Sequence, residues 1–178
     1  NTAKPVKVQA MKPAKVLVAS CNGGHVCLVD VDDELACWGS NSYGQLGTIS
    51  KGDAAVPTPV SALNGVSAVA VGGLHTCAVA PGGTFCWGHN SSGQVGDGTT
   101  VNTASPKLVA GLVEPTQVAA AHSATCARTA AGAVFCWGSN TFGELGADVK
   151  SLSTVPVSVQ GVVGAETIAL GSYFGCAV

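Results

Sequence analysis

Eight cysteines and four histidines hold most of the reactive side-chain chemistry in this 178-residue chain. Six cysteines fall into pairs, Cys27 with Cys37, Cys77 with Cys86 and Cys126 with Cys136, with nine, eight and nine residues between partners. Zinc sites usually bring cysteines in steps of two to four residues, so this spacing argues for disulfides and against a metal. Cys21 and Cys176 stand outside the scheme. By the spacing of the others, Cys176 is the first member of a fourth pair, whereas Cys21 has no counterpart at Val71, Ala120 or Leu170. An intermolecular bridge through Cys21 or Cys176 is one hypothesis. His25 and His75 lie two residues before a first cysteine, where Ala124 and Phe174 stand in later repeats. A position that tolerates such loss suits a structural hydrogen bond better than catalysis. His89 and His122 are isolated. With no G-x-S-x-G elbow and no phosphate loop, the expectation is a protein without catalytic residues, cofactor or metal.

The elements that must position these cysteines are repeats. Cys-Trp-Gly occurs at 37–39, 86–88 and 136–138, and the first cysteines Cys27, Cys77, Cys126 and Cys176 recur at intervals of 50, 49 and 50. Each Trp-Gly is followed by N-x-x-G-[QE]-[LV]-G, at 41–47, 90–96 and 140–146. A β-branched or small-residue run precedes each first cysteine, and Pro57 or Pro59, Pro106 and Pro156 open a further strand after each glycine-rich loop. Each period therefore encodes four short strands. That is the make-up of a propeller blade, because a lone antiparallel sheet leaves two faces for neighbours to cover. Helical solenoids are excluded, since no segment sustains apolar residues at three- and four-residue spacing.

The pattern G-G-x-H-T-C-A-V at 72–79, followed by G-G-x-x-C-W-G-x-N-x-x-G-Q-x-G at 82–96, resembles the regulator of chromosome condensation repeat, in a cysteine-rich form. The resemblance covers essentially the whole chain. It implies an all-β propeller of four-stranded antiparallel blades, usually closed as a ring of seven, while leaving function open because one propeller fold hosts many roles. The expected layout is a strand within 1–14 completing a preceding blade, blades at 15–64, 65–113 and 114–164, and the first half of another at 165–178. Such an array is a fragment of a longer polypeptide or a half-ring completed by another copy. Light-sensing members of this family carry G-W-R-H-T where Gly73-Leu74-His75-Thr76 stands here, which argues against a light sensor.

The cysteines can be placed by hairpin register. Pairing Ala78 with Phe85, Val79 with Thr84 and Ala80 with Gly83 leaves Pro81-Gly82 as a two-residue turn and sets Cys77 opposite Cys86. The same folding leaves 130–132 as a three-residue loop between Cys126 and Cys136, and 31–33 between Cys27 and Cys37. Cβ atoms directly opposed at a non-hydrogen-bonded pair lie about 4.5 Å apart, close to disulfide reach. Each bridge would close a loop of about ten residues, worth roughly 2 to 3 kcal/mol.

Trp38, Trp87 and Trp137 recur at equivalent positions and are expected to pack blade on blade. Tyr43 and Phe142, just before the glycine of the N-x-x-G loops, are candidate contacts with a partner, or else local packing. Asp30, Asp32, Asp33 and Glu34 form a dense acidic cluster at a hairpin tip, read as a solvated turn because calcium-loop spacing and glycine are missing. Asn90-Ser91-Ser92 is a glycosylation sequon inside the repeat motif. Lys4, Lys7, Lys12 and Lys15 are read as charges guarding an exposed β-edge.

Only 10% of residues are charged and the net charge is −2, which gives no field for a phosphate backbone, so nucleic acid is not an expected partner. No apolar run of eighteen residues exists, and membrane insertion is not expected. Paired cysteines point outside the cytosol, to an extracellular, cell-surface or periplasmic site. The leading expectation is a non-catalytic module that binds another protein or further copies of itself. The alternatives are a guanine-nucleotide exchange factor for a small GTPase, by the resemblance, and a subunit of an extracellular fibre or sheath.

Overall fold

Tight glycine turns between short runs of Val, Ala, Thr and Cys allow each repeat to fold back on itself three times, giving four strands. A computed structural model of the chain describes residues 12–20, 24–48, 50 and 52–178, so the strand expected within 1–14 lies outside the described residues except for its last three positions. The described residues form strands and turns, without helix. The first sheet contains β1 (Ala14–Ala19), β2 (His25–Asp30), β3 (Leu35–Gly39) and β4 (Ala54–Pro59). The second contains β5 (Ala68–Val71), β6 (His75–Ala80), β7 (Gly83–Gly88) and β8 (Thr103–Leu108). The third contains β9 (Pro115–Ala120), β10 (Ala124–Thr129), β11 (Val134–Ser139) and β12 (Leu152–Ser158), and β13 (Ile168–Leu170) with β14 (Gly175–Ala177) forms a two-stranded sheet. Within each sheet the strands are antiparallel neighbours in sequence order. The expected all-β architecture of four-stranded blades is the one observed.

The hairpin registers follow from turn chemistry. Ala78 faces Phe85, Val79 faces Thr84 and Ala80 faces Gly83. In the three-residue loops one residue must adopt left-handed backbone. Gly132 fills that role in the third sheet at φ 76°, and Asp33 fills it in the first at φ 63°, one of few side-chain types that tolerate it. The Asp30 carboxylate stabilises that tip by accepting the backbone N–H groups of Asp32 and Glu34 at 2.9 and 3.0 Å. Lys12 pairs with Asp32, and Lys15 with Asp33 at 2.7 Å. These two lysines thus pair with acids of the hairpin tip, and Lys15 does so from β1, an edge strand of its sheet. The outer strands β4, β8 and β12 carry Pro57, Pro59, Pro106 and Pro156, which blunt the exposed edges by removing ladder donors.

The core lies between sheets. One cluster joins Cys27, Leu35, Leu46 and Val60 of the first repeat to Val69, Ala78 and Trp87 of the second. The next repeats this with Cys77, Val95 and Val109 against Val118, Ala127 and Trp137. A third joins Cys126, Val134, Cys136 and Leu145 to Ala165 and Ile168. Consecutive sheets thus bury their facing surfaces against each other, the stacking that blade architecture requires.

Candidate functional site

All three cysteine pairs are cross-strand neighbours. Cys27–Cys37, Cys77–Cys86 and Cys126–Cys136 are disulfide-bonded with Cα–Cα distances of 4.1, 4.1 and 4.0 Å. The six half-cystines are buried, lying in the clusters between blades as apolar packing groups as well as cross-links. Cys176 is an exposed free thiol on β14, and Cys21 falls outside the described residues.

Two polar relays join the blades. His25 Nε2 lies 2.9 Å from Thr76 Oγ1, the Thr76 hydroxyl donates to the Gln45 carbonyl at 2.8 Å, and Trp87 Nε1 donates to the same carbonyl at 3.0 Å. One period later His75 meets Thr125 at 2.9 Å, and Thr125 and Trp137 donate to the Gln94 carbonyl at 2.9 and 3.0 Å. Trp87 and Trp137 are fully buried against the preceding blade, while Trp38, on the outer face of the first sheet, is half-buried. Burial drives the His75 imidazole far below its ordinary value, to about 3, with smaller contributions from His25, His89 and His122. A neutral imidazole so placed is a hydrogen-bonding spacer rather than a proton shuttle.

The N-x-x-G-[QE]-[LV]-G loops are held by their own polar residues. The side-chain Oδ1 atoms of Asn41, Asn90 and Asn140 accept the N–H groups of Leu46, Val95 and Leu145 at 3.0, 2.9 and 3.0 Å. Their side-chain amides donate across the loop, to Ser50, Thr99 and Val149 carbonyls. Gln45, Gln94 and Glu144 accept the N–H of Tyr43, Ser92 and Phe142. Burial pushes the Glu144 carboxyl up, but hydrogen bonds from the Ser139 hydroxyl and backbone N–H groups outweigh it and hold it below the ordinary value. Asn90 is buried inside this staple, so its sequon presents no accessible amide for glycosylation.

These staples project two aromatic rings. Tyr43, 39% exposed, packs edge-on to His89 of the next blade at 4.7 Å between centroids. Phe142, 68% exposed, packs likewise on Tyr173 at 4.9 Å. Both rings bridge consecutive blades and keep one surface open, which is what a rigid contact residue needs. Tyr173, flagged by no sequence motif, joins Phe142, Phe174 and Glu144 along a cleft of ≈ 290 Å³. Arranged this way, the side chains cross-brace adjacent blades and present loops.

Stacked four-stranded antiparallel sheets, bridged at the same positions every 49 or 50 residues, define a β-propeller array. The regulator of chromosome condensation (RCC1) repeat profile matches residues 32–79, 81–128 and 131–178, and the chain belongs to that family. Among known proteins it is similar to the ultraviolet-B receptor UVR8 of Arabidopsis thaliana, 32% identical over 81 residues, covering 44% of this chain and 18% of the receptor. It is also similar to the probable E3 ubiquitin-protein ligase HERC6 of Homo sapiens, 34% identical over 83 residues, covering 45% of this chain and 8% of the ligase. In fold it matches Prp20p of Saccharomyces cerevisiae with a TM-score of 0.84 at 21% identity, over 97% of this chain and 44% of that one. Human WBSCR16 matches with a TM-score of 0.85 at 21% identity, over 99% of this chain and 48% of that one. The chain thus spans less than half the length of each of these relatives.

Proposed function

We propose that the chain is a non-catalytic extracellular, cell-surface or periplasmic propeller module that binds another protein, or further copies of itself, through loops on disulfide-pinned blades. The observation that carries this reading is the set of three disulfides buried between blades, which suit an oxidising compartment. The net charge of −2 supports a protein partner over nucleic acid. Prp20p, whose fold this chain shares, binds Gsp1p and histones, a precedent that favours a protein partner. Membrane-impermeant labelling of intact cells tests the location: labelled protein supports the reading, and label seen only after lysis opposes it. Turnover dependent on a named side chain would oppose the non-catalytic part.

The exchange-factor alternative makes a different demand: accelerated nucleotide release from a small GTPase by a chain whose thiols are free. The fibre alternative calls for size that grows with concentration.

A further inference from the structure

The hairpin tip of the second blade, Pro81-Gly82, is one residue shorter than the tips at 31–33 and 130–132. In the longer tips the third residue, Asp33 or Gly132, offers its carbonyl to the linker that leads into the next blade. Those carbonyls accept the N–H groups of Val66 and Ala165, each at 3.0 Å. In the second blade both halves of that bond are missing. The tip lacks the accepting residue, and the linker places Pro115, which has no N–H, where Val66 and Ala165 stand in the others. Where the other blades close this contact, the second leaves a cavity of ≈ 280 Å³ between its tip and its outgoing linker. Ala80, Gly82, Gly83, Leu112, Glu114 and Pro115 line it.

Glu114 departs most from the pattern. Its backbone is left-handed, at φ 47°, where Gly65 and Gly164 hold the equivalent positions at 65° and 68°. Glycine adopts that conformation without the steric cost of a side chain, so the second linker carries a carboxylate at the expense of local strain. Among the described residues that carboxylate makes no ion pair. The nearby Arg128 guanidinium is committed instead to the Ala165 carbonyl and the Thr116 hydroxyl. Beside the cavity in the chain, Pro81 is exposed and Val113 is 75% exposed.

We propose that this cavity is a docking socket for a lysine side chain flanked by apolar residues on a partner protein. The methylene stem packs on Leu112 and Pro115, and the ammonium donates to the Glu114 carboxylate. The uncompensated carboxylate specifies the cation, and the exposed Pro81 and Val113 specify apolar neighbours on the same partner rather than a free amine. The socket lies at the opposite end of β6 and β7 from the N-x-x-G loop, which leaves its sheet after Gly88. It therefore goes beyond the loop-based reading above and does not depend on it.

The probe is the capped tripeptide leucyl-lysyl-leucine amide, titrated into the intact nitrogen-15-labelled chain while the Gly82 and Gly83 amide resonances are followed. Both resonances should shift to saturation. Replacing the peptide's lysine by glutamine, or Glu114→Gln in the chain, should each weaken binding roughly tenfold or more, the loss expected of one charge-assisted hydrogen bond. Absence of saturation, equal affinity for the two peptides, or unchanged affinity in Glu114→Gln overturns the proposal. So does n-butylammonium binding as tightly as the lysine peptide, which would make a free amine the occupant. Glu114→Gly should abolish binding and leave the unfolding midpoint no lower than that of the unsubstituted chain, because it relieves the strained backbone. A lowered midpoint with binding retained would assign the residue to the fold instead.

Discussion

His75 Nε2 and Thr125 Oγ1 meet at 2.9 Å across the boundary between the second and third blades, repeating the contact of His25 with Thr76 one period earlier. At the next boundary Ala124 and Gly175 occupy the corresponding positions, so donor and acceptor are lost together. The histidine of one blade and the threonine of the next therefore form one device, cross-bracing sheets that β-ladders do not connect.

Removing half of that device should cost more than removing a surface contact, because the other half stays buried. Thr125→Val keeps the shape but takes the partner from His75 Nε2 and one donor from the Gln94 carbonyl. The expected loss is about 1 to 3 kcal/mol in denaturant unfolding, with the cost falling on the second–third blade junction. Thr167→Val, at an outer contact to Gln117, should change stability by less than about 0.5 kcal/mol.

The depressed His75 imidazole makes stability fall in acid. Its folded value near 3 lies below the ordinary 6.5, so the unfolded chain takes up the proton first as pH drops. Stability from this group is fully present above about pH 6.5 and is lost as pH falls towards 3, at up to about 1.4 kcal/mol per pH unit. Urea midpoints between pH 7 and pH 4 should decline, and His75→Gln should flatten that decline. A slope unchanged in the variant would show that other groups carry it.

Gly96 touches Trp137 where any side chain would collide, and its φ of +77° adds backbone strain. Gly96→Ala should cost about 2 kcal/mol or more and shift tryptophan emission to the red as the indole leaves its seat. Gly146→Ala, at a similar φ but beside Val159 alone, should cost about 1 kcal/mol and leave emission unchanged.

The blade architecture was legible because its signals are local. The hairpin register at 77–86 follows from one turn and two cysteines, and a shift by one residue would reverse every side chain. The relay from His75 to Thr125 was not legible in the same way. The histidine's structural role could be inferred from its loss at Ala124, but its partner lies 50 residues away on another sheet, and single-chain periodicity does not specify which faces meet. A tandem reading would have found it, since His and Thr disappear at the same junction. Asp33 shows the opposite limit: its left-handed backbone was hidden because only the third-blade loop placed glycine at that point, at Gly132. The aromatic candidates Tyr43 and Phe142 were visible as motif variants, whereas their stacking on His89 and Tyr173 depends on how neighbouring blades lean together.

Removing one bridge should expose its share of the fold. Cys77→Ser with Cys86→Ser is expected to lose about 2 to 3 kcal/mol by the loop-closure argument, measured as the shift in unfolding midpoint under non-reducing conditions.

The most direct test of covalently pinned blades is the intact mass after alkylation of the denatured chain, with and without prior reduction. Three bridges leave at most two of the eight cysteines open before reduction, Cys21 and Cys176, and all eight after it. Eight adducts on the unreduced chain would contradict the account.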